Sequence, residues 1–121
     1  SNTLIVAETG ACRLTAFDIG NDGKLANRRL FADLGEIHPD GLCTSREGHV
    51  WVAGLYANQF LLVDHDGKII QRISTGDRWA VSCALGGTQG NRLFCATTSV
   101  SGPNDLRQGL CKSHIEYIDI V

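Results

Sequence analysis

Val50-Trp51-Val52-Ala53 leads, after a break, into Gln59-Phe60-Leu61-Leu62-Val63-Asp64, then the turn Asp66-Gly67, then Lys68-Ile69-Ile70-Gln71-Arg72-Ile73. These are short runs of branched and aromatic side chains, the kind that pack well on a pleated surface. Asp-Gly between two of them is hairpin chemistry, because glycine takes positive φ without a Cβ clash. No stretch sustains the i, i+3, i+4, i+7 spacing of an amphipathic helix, and residues 26–34, the nearest approach to one, read as a strand. The block therefore predicts sequential antiparallel strands, a meander rather than alternating strands and helices.

Working outward, the same pattern recurs. Leu4-Ile5-Val6-Ala7, Val50-Trp51-Val52-Ala53 and Leu93-Phe94-Cys95-Ala96 share three apolar residues and an alanine, with starts 46 and 43 residues apart. Ala16-Phe17-Asp18 returns as Leu62-Val63-Asp64 and again as Tyr117-Ile118-Asp119. Gly41-Leu42-Cys43-Thr44-Ser45 and Val81-Ser82-Cys83-Ala84-Leu85 precede the second and third apolar runs. A period of 40–50 residues with about four short strands each is the mark of a propeller. The second repeat is complete, with strands near 41–45, 49–54, 59–64 and 68–74. The first begins at what would be its second strand, Leu4–Glu8. The third has 80–85, 92–98 and 114–121 and no fourth strand. The expected fold is all-β: half of a six-bladed β-propeller, one partial domain over residues 1–121, of three blades whose first and last are incomplete. Half a disk leaves apolar sheet faces and edges without a neighbour, which predicts self-association, a homodimer of half-propellers.

Composition narrows the function classes. Eleven Lys and Arg against 13 Asp and Glu give a net charge of −2, too little positive charge for a nucleic-acid groove or an anionic membrane surface. Apolar runs such as Phe60–Val63 are far too short to span a bilayer. No charged start with a following apolar segment suggests a signal peptide. The five cysteines (Cys12, Cys43, Cys83, Cys95 and Cys111) form no C-x-x-C pair and read as small core hydrophobes in a reducing, cytoplasmic compartment. There is no G-x-S-x-G elbow and no phosphate-cradling G-x-x-x-x-G-K motif.

Several blocks together resemble a known family. They are Val6-Ala7-Glu8-Thr9-Gly10, Leu14-Thr15-Ala16-Phe17-Asp18, Asn27-Arg28-Arg29, Pro39-Asp40-Gly41-Leu42-Cys43, Glu47-Gly48-His49-Val50-Trp51-Val52-Ala53 and Ser82-Cys83-Ala84-Leu85-Gly86-Gly87. In order and spacing they are similar to the C-terminal half of the senescence-marker-protein/gluconolactonase/luciferin-regenerating-enzyme family. That resemblance implies a six-bladed propeller of roughly twice this length. It also implies a sugar-lactone hydrolase that holds a divalent metal, calcium or zinc, at the mouth of the channel. It makes Asp40 a metal ligand and the general base that activates water. The family's other main ligands, a Glu and an Asn from earlier blades, would lie upstream of residue 1. One carboxylate cannot hold calcium, which takes six to eight oxygens, so this chain alone is expected to be inactive.

The residues by themselves give weaker pointers. Pro39-Asp40-Gly41 is also an ordinary turn tripeptide. His38 and Trp79 could line the same rim and touch substrate; the plainer alternatives are a loop histidine and a packing tryptophan. Glu8-Thr9-Gly10 reads as a strand end with a turn, Arg28-Arg29 as a solvated strand face, and Asn104-Asp105 as part of a long loop, 99–113.

Overall fold

Apolar runs a few residues long can hide their backbone polar groups only by pairing side by side, and here each finds an antiparallel neighbour. The computed structural model describes residues 2–100 and 103–120. Its strands are β1 (Thr3–Glu8), β2 (Arg13–Ile19), β3 (Leu25–Asp33), β4 (Pro39–Thr44), β5 (Val50–Gly54), β6 (Gln59–Val63), β7 (Ile69–Ser74), β8 (Trp79–Gly86), β9 (Arg92–Ser99) and β10 (Lys112–Asp119). They form three antiparallel sheets in the orders β1-β2-β3, β4-β5-β6-β7 and β10-β9-β8. The sequences Asn21-Asp22-Gly23, Glu47-Gly48 and Asp66-Gly67 each lie between strand-like runs and read as turns, and their glycines have φ of +77°, +83° and +81°.

The core lies on both faces of the middle sheet. Along β5, Val50 and Val52 turn to one side, where they meet Leu14, Ala32 and Leu34 of the first sheet and its following turn. Trp51 and Ala53 turn to the other side, against Ala80, Cys83, Leu93 and Cys95 of the third sheet. On β6, Leu61 and Val63 join the first group and Phe60 the second. A strand buried on both faces has no polar side to show, which is why Val50–Ala53 and Phe60–Val63 read as unbroken apolar runs. The sheets meet one another mainly through β1, β4, β5 and β8.

Four expectations need correction. The loop 99–113 contains a short helix, α1 (Pro103–Gln108), too brief to leave a periodic signature. Of the cysteines only Cys83 and Cys95 are buried; Cys12, Cys43 and Cys111 are half-buried. Trp79 opens β8 rather than preceding it, and the last strand starts at Lys112, two residues before the expected 114. Gly102 and Val121 lie outside the described residues.

Candidate functional site

At one end of the sheets, four chain segments are stitched together by backbone hydrogen bonds. The Leu34 amide donates to the Cys12 carbonyl at 2.9 Å, the Leu55 amide to the His38 carbonyl at 3.0 Å, and the Thr75 amide to the Asn58 carbonyl at 2.8 Å. These bonds gather the β1–β2 turn, the entry to β4, the β5–β6 turn and the entry to β8.

Asp40 is the second residue of β4. Pro39 pairs with Gly54 and Leu42 with Val52, so Asp40 and Gly41 together oppose the single residue Ala53. This is a β-bulge, a device that re-aims a side chain. A matching irregularity falls between Ala80 and Ser82 on β8. Gly41 is required there: a Cβ at position 41 would lie 2.7 Å from the Cα of Ser82. Asp40 is half-buried, and that burial pushes its carboxyl above the usual carboxylate range. Among the described residues no cation forms an ion pair with it.

His38 and Trp79 come together through a residue that the sequence did not single out. Tyr56, in the β5–β6 turn and 57% exposed, meets the His38 ring edge-on at 5.5 Å and the Trp79 ring edge-on at 5.0 Å. The three rings form a continuous aromatic row. The available cue was an aromatic in the short turn Leu55-Tyr56-Ala57-Asn58. His38 is not a free loop side chain. Its Nδ1 lies 2.9 Å from the Thr9 carbonyl oxygen, an acceptor, so that nitrogen carries the proton. Cys12 Sγ lies 3.4 Å from the same nitrogen. Arg78 is turned toward the third sheet, held by Glu116 and Thr97. Glu8 ends β1 and is held by Arg13 and Arg28, as a strand end rather than a rim ligand. Nearby, Asn58 Oδ1 is buried with no hydrogen-bond partner among the described residues.

The residues present do not complete a cation site. Among the described residues no group of three or more His, Cys, Asp or Glu side chains is placed to hold a metal. Calcium takes six to eight oxygens and a catalytic zinc takes three protein ligands; Asp40 offers one carboxylate. Nor is any helix of the described residues long and apolar enough to cross a membrane.

Comparison with known proteins agrees with this architecture. Regucalcin of Gallus gallus is 33% identical over 88 residues, which is 69% of this chain and 29% of that protein. Regucalcin of Xenopus laevis is 28% identical over 85% of this chain and 36% of its own length. The chain thus spans about a third of the length of the curated relatives it matches. Among solved structures, a luciferin-regenerating enzyme superposes on 98% of the chain with a TM-score of 0.80 at 17% identity, using 41% of its own length. The calcium-binding protein regucalcin from Agrobacterium tumefaciens gives 0.76 at 21% identity, over 98% of this chain and 42% of that one. A gluconolactonase from Xanthomonas campestris gives 0.66 at 29% identity, over 97% of this chain and 34% of that one. The family model described as the SMP-30/Gluconolactonase/LRE-like region matches residues 1–99, and the chain belongs to that family.

Proposed function

We propose that this chain is half of a six-bladed propeller that hydrolyses sugar lactones with the help of a divalent metal, and that it is inactive without the other blades. The observation that carries the reading is Asp40, a half-buried carboxylate with no ion-pair partner among the described residues, set by a bulge at the start of β4. Family membership and a gluconolactonase among the relatives support it. In this reading Asp40 is one metal ligand, and calcium or zinc is completed by residues from further blades. Asp40 is also the general base. Its carboxylate takes a proton from water while the water oxygen bonds to the lactone carbonyl carbon. The ring C–O bond then breaks, and the ring oxygen takes that proton back from Asp40 and leaves as a hydroxyl. A carboxyl raised by burial is a stronger base for that transfer. His38, Tyr56 and Trp79 offer the sugar ring an aromatic wall. A cytoplasmic location suits five free cysteines.

The test is hydrolysis of a gluconic lactone by two proteins, with calcium or zinc present. The chain alone should give no rate above background. Joined to the N-terminal blades of a gluconolactonase relative, it should hydrolyse the lactone, and Asp40→Ala should cut that rate by about 100-fold or more. Hydrolysis by the chain alone that disappears in Asp40→Ala would show that further blades are not needed. An unchanged rate in the joined Asp40→Ala variant would remove Asp40 from the mechanism.

A second reading, a non-enzymatic homodimer, is favoured by β10. That strand pairs only with β9 among the described strands, and it exposes Ile115 by 80% and Tyr117 by 60%. An apolar edge of this kind invites a second copy. Light scattering should show a dimer, and Ile115→Lys should shift it toward monomer. A wild-type chain that stays monomeric at micromolar concentration would end this reading.

A further inference from the structure

Three of the cysteines gather at the seam between the middle and third sheets. Cys83 of β8 and Cys95 of β9 stand opposite each other in the strand register, both buried. Cys43 reaches the same place from β4, packed at the edge of that core. It is only half-buried and borders an open groove with Leu4, Leu42, Ala84 and Leu85. Its Sγ lies 3.7 Å from Cys83 Sγ, across 40 residues of chain. The approach is built into the backbone. Gly41, two residues before Cys43, lets β4 lie directly against Ser82, the neighbour of Cys83. The two cysteines also occupy corresponding places in successive repeats, Gly41–Ser45 and Val81–Leu85.

We propose that Cys43 and Cys83 form an oxidisable dithiol, a modification site for hydroperoxides, which closes to a disulfide joining the middle sheet to the third. The sulfurs need only approach from hydrogen-bonding distance to the bond length of about 2 Å. Roles divide by environment. Either sulfur can donate in their contact, but Cys43 is only half-buried and borders the groove, and the contact with Cys83 holds its thiol below the ordinary range. Cys83 is buried, and the same contact and its burial push its thiol up. The Cys43 thiolate attacks one peroxide oxygen; the O–O bond breaks, giving the sulfenic acid and hydroxide. The Cys83 sulfur then attacks Cys43 sulfur. The S–S bond forms, the S–O bond breaks, and the departing oxygen leaves as hydroxide. The Cys83 proton converts one of the hydroxides to water, and the proton released when Cys43 ionised converts the other. Two thiols and one hydrogen peroxide thus become one disulfide and two waters. This site does not depend on the lactonase reading.

The test uses hydrogen peroxide on the whole chain, followed by alkylation and trypsin without reductant. Each cysteine falls in a different tryptic peptide: Cys43 in 30–46, Cys83 in 79–92 and Cys95 in 93–107. The expected product is 30–46 linked to 79–92, released by dithiothreitol. The oxidised chain should melt at a higher temperature than the reduced one. Cys43→Ser should lose both the link and the shift. In case that variant folds poorly, the reduced wild type gives a second readout: limited alkylation should label Cys43 well before Cys83. A link between 79–92 and 93–107 would overturn the proposal. So would cross-links that grow with protein concentration, or two thiols that remain fully alkylatable in excess peroxide.

Discussion

Asp40 carries its charge partly out of water, and the consequence for stability has a definite sign. Burial raises its carboxyl above the ordinary 3.8. Between the unfolded and folded values the native state binds more protons than the unfolded one, so stability falls as pH rises through that window. Asp40→Asn removes the ionisation. The variant should therefore gain on the wild type as pH climbs from below 3.8 toward neutral, by less than about 1 kcal/mol at this partial exposure. Urea unfolding of both proteins at several pH values checks this, and a difference that stays flat with pH would show that the carboxyl is not perturbed. That a strand begins beside Asp40 was legible, since one was expected from 41; β4 starts two residues earlier, at Pro39, and takes Asp40 in. The bulge that aims it was not legible, because a bulge depends on what lies opposite, here Ala53. Tyr56 and the Cys43–Cys83 approach were hidden for the same reason: their partners are distant in sequence.

Hairpins were the most legible elements, since Asp-Gly and Asn-Asp-Gly fix backbone shape locally. Even so, the same turn chemistry has different consequences at different places. Gly23 and Gly67 share a positive φ, but a Cβ at position 23 would meet nothing, whereas at position 67 it would run into the Phe31 carbonyl oxygen and lie 3.3 Å from Ala32 Cα. The β6–β7 hairpin therefore presses on β3 of the neighbouring sheet. Gly23→Ala should cost about 1–2 kcal/mol, the strain of positive φ alone. Gly67→Ala should cost about 1–3 kcal/mol more, because backbone must also move. Denaturant midpoints compare them directly, and equal losses would mean that the hairpin and β3 are not in firm contact. The helix α1 escaped the sequence because six residues make less than two turns, and no apolar stripe can show itself over that length.

Three sheets side by side could melt one at a time or together, and the middle sheet decides which. Its place between two neighbours was written in Val50-Trp51-Val52-Ala53, apolar on both faces where a sheet with one wet face would alternate. What the sequence leaves open is the outer faces, because β3 and β10 mix apolar and charged residues without a clear alternation. Leu61 belongs to the core shared with the first sheet, while Phe60, one residue earlier, belongs to the core shared with the third. Any loosening of β6 is thus felt on both sides. Leu61→Ala should cost about 2–5 kcal/mol. If the sheets form one cooperative unit, that loss should speed hydrogen exchange equally in β2 and in β9, although Leu61 faces only the first of these sheets. The two strands pack on opposite faces of the middle sheet, and global opening is their common route to solvent. Faster exchange confined to β2 would show that the third sheet keeps its own stability.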